Sequence, residues 1–217
     1  MMKCKILLAL ALLFFADKAM ARSMDEHIYL VPVGQVDKKV LEYIKSRLPD
    51  SLPVTVKMEV EDQKNIPDGA YDPSRKQYNA EVILNEIAQQ ITIEIVDERA
   101  LLITDVDLYA QGYDFVLGVS DAKRGIGMIS LARLKNEFYG LKPDNKLFLE
   151  RALKEATREF GYSRGLDNCT NPKCVMHFSK DLSGIDKKKT DMCRPCRDTL
   201  YRRYNTPLVN APSLTFY

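Results

Sequence analysis

Residues 158–196 hold the densest collection of side chains in this chain that could bind a metal or move a proton. In R-E-F-G-Y-S-R-G-L-D-N-C, Arg158 and Tyr162 stand four residues apart and so share one face of a helix, with Glu159 beside them. Gly165 permits a sharp turn, which lets Asn168 return toward that face from outside the helix. Cys169 and Cys174, then Cys193 and Cys196, follow at spacings that suit a tetrahedral Cys4 zinc site. Two disulfides are the alternative, favoured if the chain meets an oxidising compartment. A redox role for Cys193-Arg194-Pro195-Cys196 has little support, because no thioredoxin-like βαβ pattern precedes it.

The spacing of the first group is that of H-E-x-x-H-x-x-G-x-x-H, in which two histidines one turn apart and a third beyond a glycine hold zinc and leave a position for water. Here Arg158, Tyr162 and Asn168 occupy the three ligand positions, while Glu159 and Gly165 occupy those of the glutamate and the glycine. Arginine cannot lose its proton to become a ligand, asparagine is a poor ligand and tyrosine a rare one for zinc. The chain has two histidines, His27 and His177, too few to rebuild a three-histidine site. His177 reads as a surface or packing residue.

Further residues connect this segment to a family. Cys169-x4-Cys174-x-Met176 with Cys193-x2-Cys196 is accompanied upstream by Tyr71-Asp72-Pro73-Ser74-Arg75, Gln77-Tyr78-Asn79-Ala80, Thr104-Asp105-Val106-Asp107-Leu108-Tyr109, Phe115-Val116-Leu117-Gly118 and Ile129-Ser130-Leu131-Ala132-Arg133-Leu134. In this order the blocks resemble those of the archaemetzincins, from about Ile28 to about Arg203. The resemblance implies a metzincin-type α/β fold: a mixed twisted sheet, two long helices, Met176 in a Met-turn, and a C-terminal segment stapled by one structural zinc on Cys169, Cys174, Cys193 and Cys196. Members with the intact motif are expected to bind a catalytic zinc and hydrolyse peptides, the motif glutamate acting as general base. In this chain the catalytic zinc is expected to be absent and Glu159 a vestigial base, or simply an ion-paired helix residue.

The pattern of apolar residues supplies the elements that would position these groups. Strands are expected at Ile28–Val33, Val54–Val60, Leu101–Val106, Phe115–Val119 and Gly127–Leu131. Helices are expected at Lys38–Leu48, closed by Pro49 and Pro53, at Ser74–Ile91, and at Lys146–Tyr162, the counterpart of the active-site helix of the resembled family. Asp105 and Asp107 alternate along their strand and read as structural or rim carboxylates rather than an acid/base pair. The cysteine-rich segment ends in a tail with Pro207 and Pro212.

Lys3 and Lys5, the apolar run Ile6–Ala16 and the small-x-small triplet Ala19-Met20-Ala21 predict a signal peptide over residues 1–21 and a single domain over 22–217. No apolar run is long enough to span a bilayer, so export to a periplasmic or extracellular location is expected, with no membrane span after cleavage. Cleavage removes three lysines and one aspartate and leaves a formally neutral chain, which argues against a nucleic-acid partner. Lys187, Lys188, Lys189, Arg194, Arg197, Arg202 and Arg203 form a local basic run, read as a solvated surface. The expected function is that of a secreted pseudopeptidase binding an extended peptide or protein segment. An active zinc metallopeptidase and an interaction module using the basic C-terminal surface are the alternatives.

Overall fold

The computed structural model describes residues 25–93, 97–204 and 214–216. The expected signal peptide lies outside the described residues. Among those described, no helix is long and apolar enough to cross a membrane.

Elements follow in the order β1 (Asp25–Val33), α1 (Lys38–Ser51), β2 (Thr55–Val60), β3 (Tyr71–Asp72), β4 (Gln77–Asn79), α2 (Ala80–Ala88), β5 (Glu98–Thr104), β6 (Leu108–Ala110), β7 (Tyr113–Val116), β8 (Gly118–Asp121), β9 (Ile126–Ser130), α3 (Asn145–Ser163), α4 (Leu182–Lys187), α5 (Arg194–Tyr204) and β10 (Thr215–Phe216). Six strands form a mixed sheet ordered β10-β8-β9-β5-β1-β2, and β3-β4-β6-β7 form a smaller one. In the large sheet β2, β1, β5 and β9 run parallel, whereas β8 is antiparallel to β9 and to β10.

The central strands are apolar on both faces because both are covered. Ile28, Leu30, Leu101, Ile103 and Ile129 face a core shared with α1 and α3. The intervening Val31, Val33, Ala100, Leu102 and Met128 face a second core with Ile83, Leu84 and Ile87 of α2. This two-residue alternation is why α3, which carries the motif, lies flat along one face of the sheet.

Several boundaries differ from those expected. No helix begins at Ser74: the Asp72 carboxylate accepts from the Ser74 N–H at 2.9 Å and the Ser74 hydroxyl at 2.6 Å, and Lys76 has a φ of 56°. That tight turn makes Tyr71–Asp72 and Gln77–Tyr78 a hairpin, and α2 starts only after Asn79, whose side chain accepts from the Glu81 and Val82 amides. Phe115–Val119 is not one strand either, since β7 and β8 belong to different sheets and the chain crosses between them at Leu117. Pro49 does not close α1 but sits in its last turn, within two residues of the helix end. The cysteine-rich segment runs into a helix, α5, with Leu200 and Tyr204 buried, and the tail expected around Pro207 and Pro212 lies outside the described residues.

Asp105 and Asp107 follow β5 instead of lying on it. Asp107 accepts both guanidinium hydrogen bonds of Arg133, at 2.6 and 2.9 Å, and Asp105 pairs with Lys135. Both are structural rim carboxylates, in line with the expectation.

Candidate functional site

Asp144 starts α3 by accepting from the Leu147 amide at 2.9 Å. The helix runs under the sheet, and every residue from Arg151 to Ser163 is buried. It ends at Gly165, whose φ of 73° gives the left-handed turn that a side chain resists. Leu166 N–H bonds Gly161 O and Gly165 N–H bonds Tyr162 O, a Schellman closure that folds the chain back along the helix. The glycine thus does what the spacing predicts, and Asn168 returns to the Arg158 face.

There the three motif side chains meet. The Arg158 guanidinium, with no exposed surface, donates to Tyr162 Oη at 2.9 and 3.2 Å and to Asn168 Oδ1 at 3.3 Å. Tyr162 Oη in turn donates to Asn168 Oδ1 at 2.6 Å. On the other side of the guanidinium, Glu155 accepts from Arg158 at 3.3 Å and from Lys188 Nζ at 3.2 Å. Lys188 also donates to the His177 carbonyl, and the Phe178 ring lies 5.9 Å from Arg158 Cζ.

Glu155 and Lys188 escaped the reading of the sequence. Glu155 could have been suspected, because an acid three residues before Arg158 shares its helix face. Lys188 gave no such signal, standing in a run of three lysines expected to be solvated. Lys187 and Lys189 are exposed as expected, but Lys188 is 3% exposed and ion-paired inside the protein. The proposed basic surface therefore loses one of its charges to the interior.

Two carboxyls four residues apart on α3 are driven in opposite directions. Burial alone would raise the Glu155 pKa, but the Lys188 ammonium and the Arg158 guanidinium together hold it below the usual carboxylate range. Glu159 is equally buried, and neither of its oxygens makes a hydrogen bond of ordinary geometry among the described residues. Burial pushes its pKa well above the usual range, and the Ser120 hydroxyl and the Arg158 charge offset only part of this. Room for this neutral carboxyl comes from Gly127 on β9, where a methyl group would stand 2.4 Å from Glu159 Cγ. Burial likewise raises Tyr162 to about 12, so its hydroxyl stays protonated and can donate to Asn168.

The raised Glu159 pKa has a measurable consequence. A carboxyl that binds its proton more tightly in the folded state supports folding below its unfolded pKa, and this support is lost as pH rises through the folded value. Each unit of elevation corresponds to about 1.4 kcal/mol. Glu159→Gln should therefore match the parent in stability near pH 4 and exceed it as pH rises above the unfolded carboxyl range in urea titrations. Parallel stability curves for the two proteins would show that Glu159 is not held neutral.

Below the motif, Met176 is fully buried against α3, with its thioether so close to Gly161 that a methyl there would stand 2.5 Å from Sδ. Cys169 N–H bonds Met176 O at 2.9 Å, and His177 Nδ1 lies 2.8 Å from Cys169 O. His177 thus braces the turn, consistent with a packing residue.

The four cysteine sulfurs lie within 4.8 Å of one another. Cys169 Sγ is 3.6 Å from Cys193 Sγ, and Cys174 Sγ is 3.8 Å from Cys196 Sγ. Ligands about 2.3 Å from a tetrahedral zinc would stand about 3.8 Å apart, whereas a disulfide needs about 2.05 Å. Backbone amides of Asn171 and Cys193 point at Cys169 Sγ and Cys174 Sγ, as they would at metal-bound thiolates. The donor set fits zinc. Burial pushes the Cys174 thiol up to about 11 and the Cys196 thiol higher still, so four thiolates would not gather here without a cation.

The sequence model of peptidase family M54 matches residues 26–202. The chain belongs to the archaemetzincin family. It is 36% identical over 183 residues to archaemetzincin from Pyrococcus furiosus, covering 83% of this chain and 95% of that one. Archaemetzincin from Methanocaldococcus jannaschii is 36% identical over 176 residues, covering 81% and 93%. Among solved structures, archaemetzincin from Methanopyrus kandleri aligns with a TM-score of 0.72 at 31% identity over 85% of this chain and 98% of that one. A zinc-dependent peptidase from Methanocorpusculum labreanum aligns with a TM-score of 0.71 at 30% identity over 80% and 99%. The family fold expected from the sequence is thereby established; zinc is the metal expected of the family, and the four cysteines could hold a metal ion.

Proposed function

We propose that this archaemetzincin-family protein is an exported pseudopeptidase. It holds one structural zinc on Cys169, Cys174, Cys193 and Cys196, lacks a catalytic zinc, and binds extended peptide or protein segments without cutting them. The observation that carries this reading is the Arg158 guanidinium, buried among Tyr162, Asn168 and Glu155 at the point where the motif's three ligands would converge. Zinc needs lone pairs there, and arginine offers only donors with a permanent positive charge. Arg158, Tyr162 and Asn168 do not fit the metal, and no hydrolytic step is assigned to it.

Glu159 supports the same reading. A general base must be ionised, or able to ionise, near its substrate, whereas this carboxyl is sealed beneath β9, where burial pushes its pKa well above the usual range. With Glu155 neutralising part of the charge on Arg158 and Lys188, the site is a packed polar core. Export rests on the leader-like residues 1–21.

A second reading, an active zinc metallopeptidase, draws support from the zinc-dependent peptidase of Methanocorpusculum labreanum among the structural relatives. One experiment separates the two. Elemental analysis of protein purified without chelator should give one zinc per chain and no chelator-sensitive hydrolysis of a diverse peptide library. The triple variant Arg158→His/Tyr162→His/Asn168→His should take up a second zinc. Two zincs in the parent, or hydrolysis abolished by Glu159→Gln, would establish the active peptidase instead.

A further inference from the structure

The β8 edge of the large sheet carries a piece of this chain. Without β10, β8 would be the outermost strand, with one side of its backbone unpaired. Thr215 and Phe216 pair antiparallel with it, Thr215 opposite Ser120 and Phe216 opposite Val119.

The register ties this pairing to the motif. Across the next strand, Ser120 stands opposite Gly127 and Val119 opposite Met128. Residues directly opposite one another project to the same face of a sheet, so Thr215, Ser120 and Gly127 form one row and Phe216, Val119 and Met128 another. The first row ends at Glu159, which lies against Gly127. The second row belongs to the opposite core, where Val119 and Met128 are buried and Phe216 and Leu214 pack against them. Phe216 also meets the Tyr113 ring at 5.8 Å. The C-terminal residues are therefore seated as a bound peptide would be, with Thr215 in the row that leads to Glu159 and apolar side chains at alternate positions in the other core.

We propose that Leu214–Phe216 is an autoinhibitory strand resident on the β8 edge, which a peptide of the same pattern must displace to bind there. The partner is an extended segment with large apolar residues two apart around a small or β-branched one, as in Leu-Thr-Phe. Main-chain hydrogen bonds to β8 supply affinity, and the two alternate apolar side chains supply selectivity. This inference rests on the peptide-binding part of the proposed function. It is independent of whether the motif holds zinc.

A tethered strand competes at an effective concentration of order millimolar, so an added peptide should bind the parent weakly. The test uses the full zinc-loaded protein and a fluorescein-labelled synthetic peptide of its last seven residues, A-P-S-L-T-F-Y. Leu214→Asp/Phe216→Asp should expel the strand by placing charge against the apolar core. Anisotropy titrations should then show at least about tenfold tighter peptide binding than in the parent, a difference set by release of the tethered competitor. Hydrogen exchange should show the Ser120 amide, which points to the β10 side of β8, deprotected in the variant and protected again by the peptide. If the double variant does not fold, Phe216→Ala supplies a milder displacement, with the same direction expected for both readouts.

Equal affinity for parent and folded variant, no binding to the variant, or equal binding of a scrambled peptide would overturn the proposal. Undiminished protection of the Ser120 amide in the variant would do the same. Equal affinity for parent and folded variant would overturn the tethered competitor while peptide binding stands, whereas no binding to either protein would overturn the peptide-binding reading itself, so the two failures are distinguishable.

Discussion

Replacing Glu155 by glutamine is expected to destabilise the protein by about 3–5 kcal/mol, the usual cost of breaking a buried ion pair by removing one partner. Glu155 is fully buried and touches both Arg158 and Lys188, so its loss leaves two cations in the interior without the carboxylate they share. Lys188 can escape by releasing its proton, since burial already lowers its pKa. Arg158 cannot. Lys188→Met should therefore cost less than Glu155→Gln, because Glu155 would keep Arg158 as its partner. Urea unfolding of the two variants at pH 7 checks both magnitude and order. The order is the decisive part: a larger loss in Lys188→Met would mean that the lysine, not the shared carboxylate, holds the cluster together.

The same pair sets an acid limit. A carboxylate whose folded pKa is depressed contributes stability above its unfolded pKa and loses it as pH falls through the folded value. Glu155 follows this rule, whereas Glu159, raised by burial, follows the opposite one. Acidification weakens the first term while relieving the second, and Glu155→Gln should therefore show less acid sensitivity than its parent.

Removal of the zinc proposed at the four cysteines is expected to have the largest effect of all. Structural zinc sites of this kind contribute about 10–16 kcal/mol of apparent binding energy at neutral pH in isolated peptides, and that energy becomes folding energy. Here the cluster joins the loop after α3 to the first turn of α5 through Cys193 and Cys196. At its far end α5 buries Leu200 and Tyr204, whose hydroxyl donates to Glu26 Oε2 of β1 at 2.7 Å. With its N-terminal staple lost, α5 would keep its distal anchors, this bond and that of the Tyr201 hydroxyl to the Pro53 carbonyl at 2.9 Å. A strong chelator should make residues 166–204 sensitive to protease and fast in hydrogen exchange, while α1 and the parallel strands retain protection. Uniform protection after complete zinc removal would mean that packing alone holds the segment, and Cys174→Ser should then be equally harmless.

The sequence by itself determined the features that depend on local chemistry. Cysteine spacing suits a tetrahedral metal site and leaves two disulfides as the alternative, between which the sulfur separations of the fold favour the metal. Gly165 ends α3 because only its left-handed backbone lets Asn168 return, and the spacing of Arg158 and Tyr162 puts them on one face. Long apolar periodicities located α1, α3 and the central strands, since a strand covered on both faces must be apolar throughout.

What failed locally was decided by short-range competition: Asp72 and Lys76 make a turn where apolar spacing alone suggests a helix. The remaining features belong to the tertiary structure. Lys188 is 30 residues beyond Arg158 in a lysine-rich loop, and nothing in its neighbours marks it for burial; only the packing of that loop against α3 brings it to Glu155. The opposite fates of Glu155 and Glu159 likewise depend on surroundings, cations for one and the sheet near Gly127 for the other. The pairing of Thr215–Phe216 with β8 joins residues nearly a hundred positions apart, a contact set by sheet topology and out of reach of any local pattern.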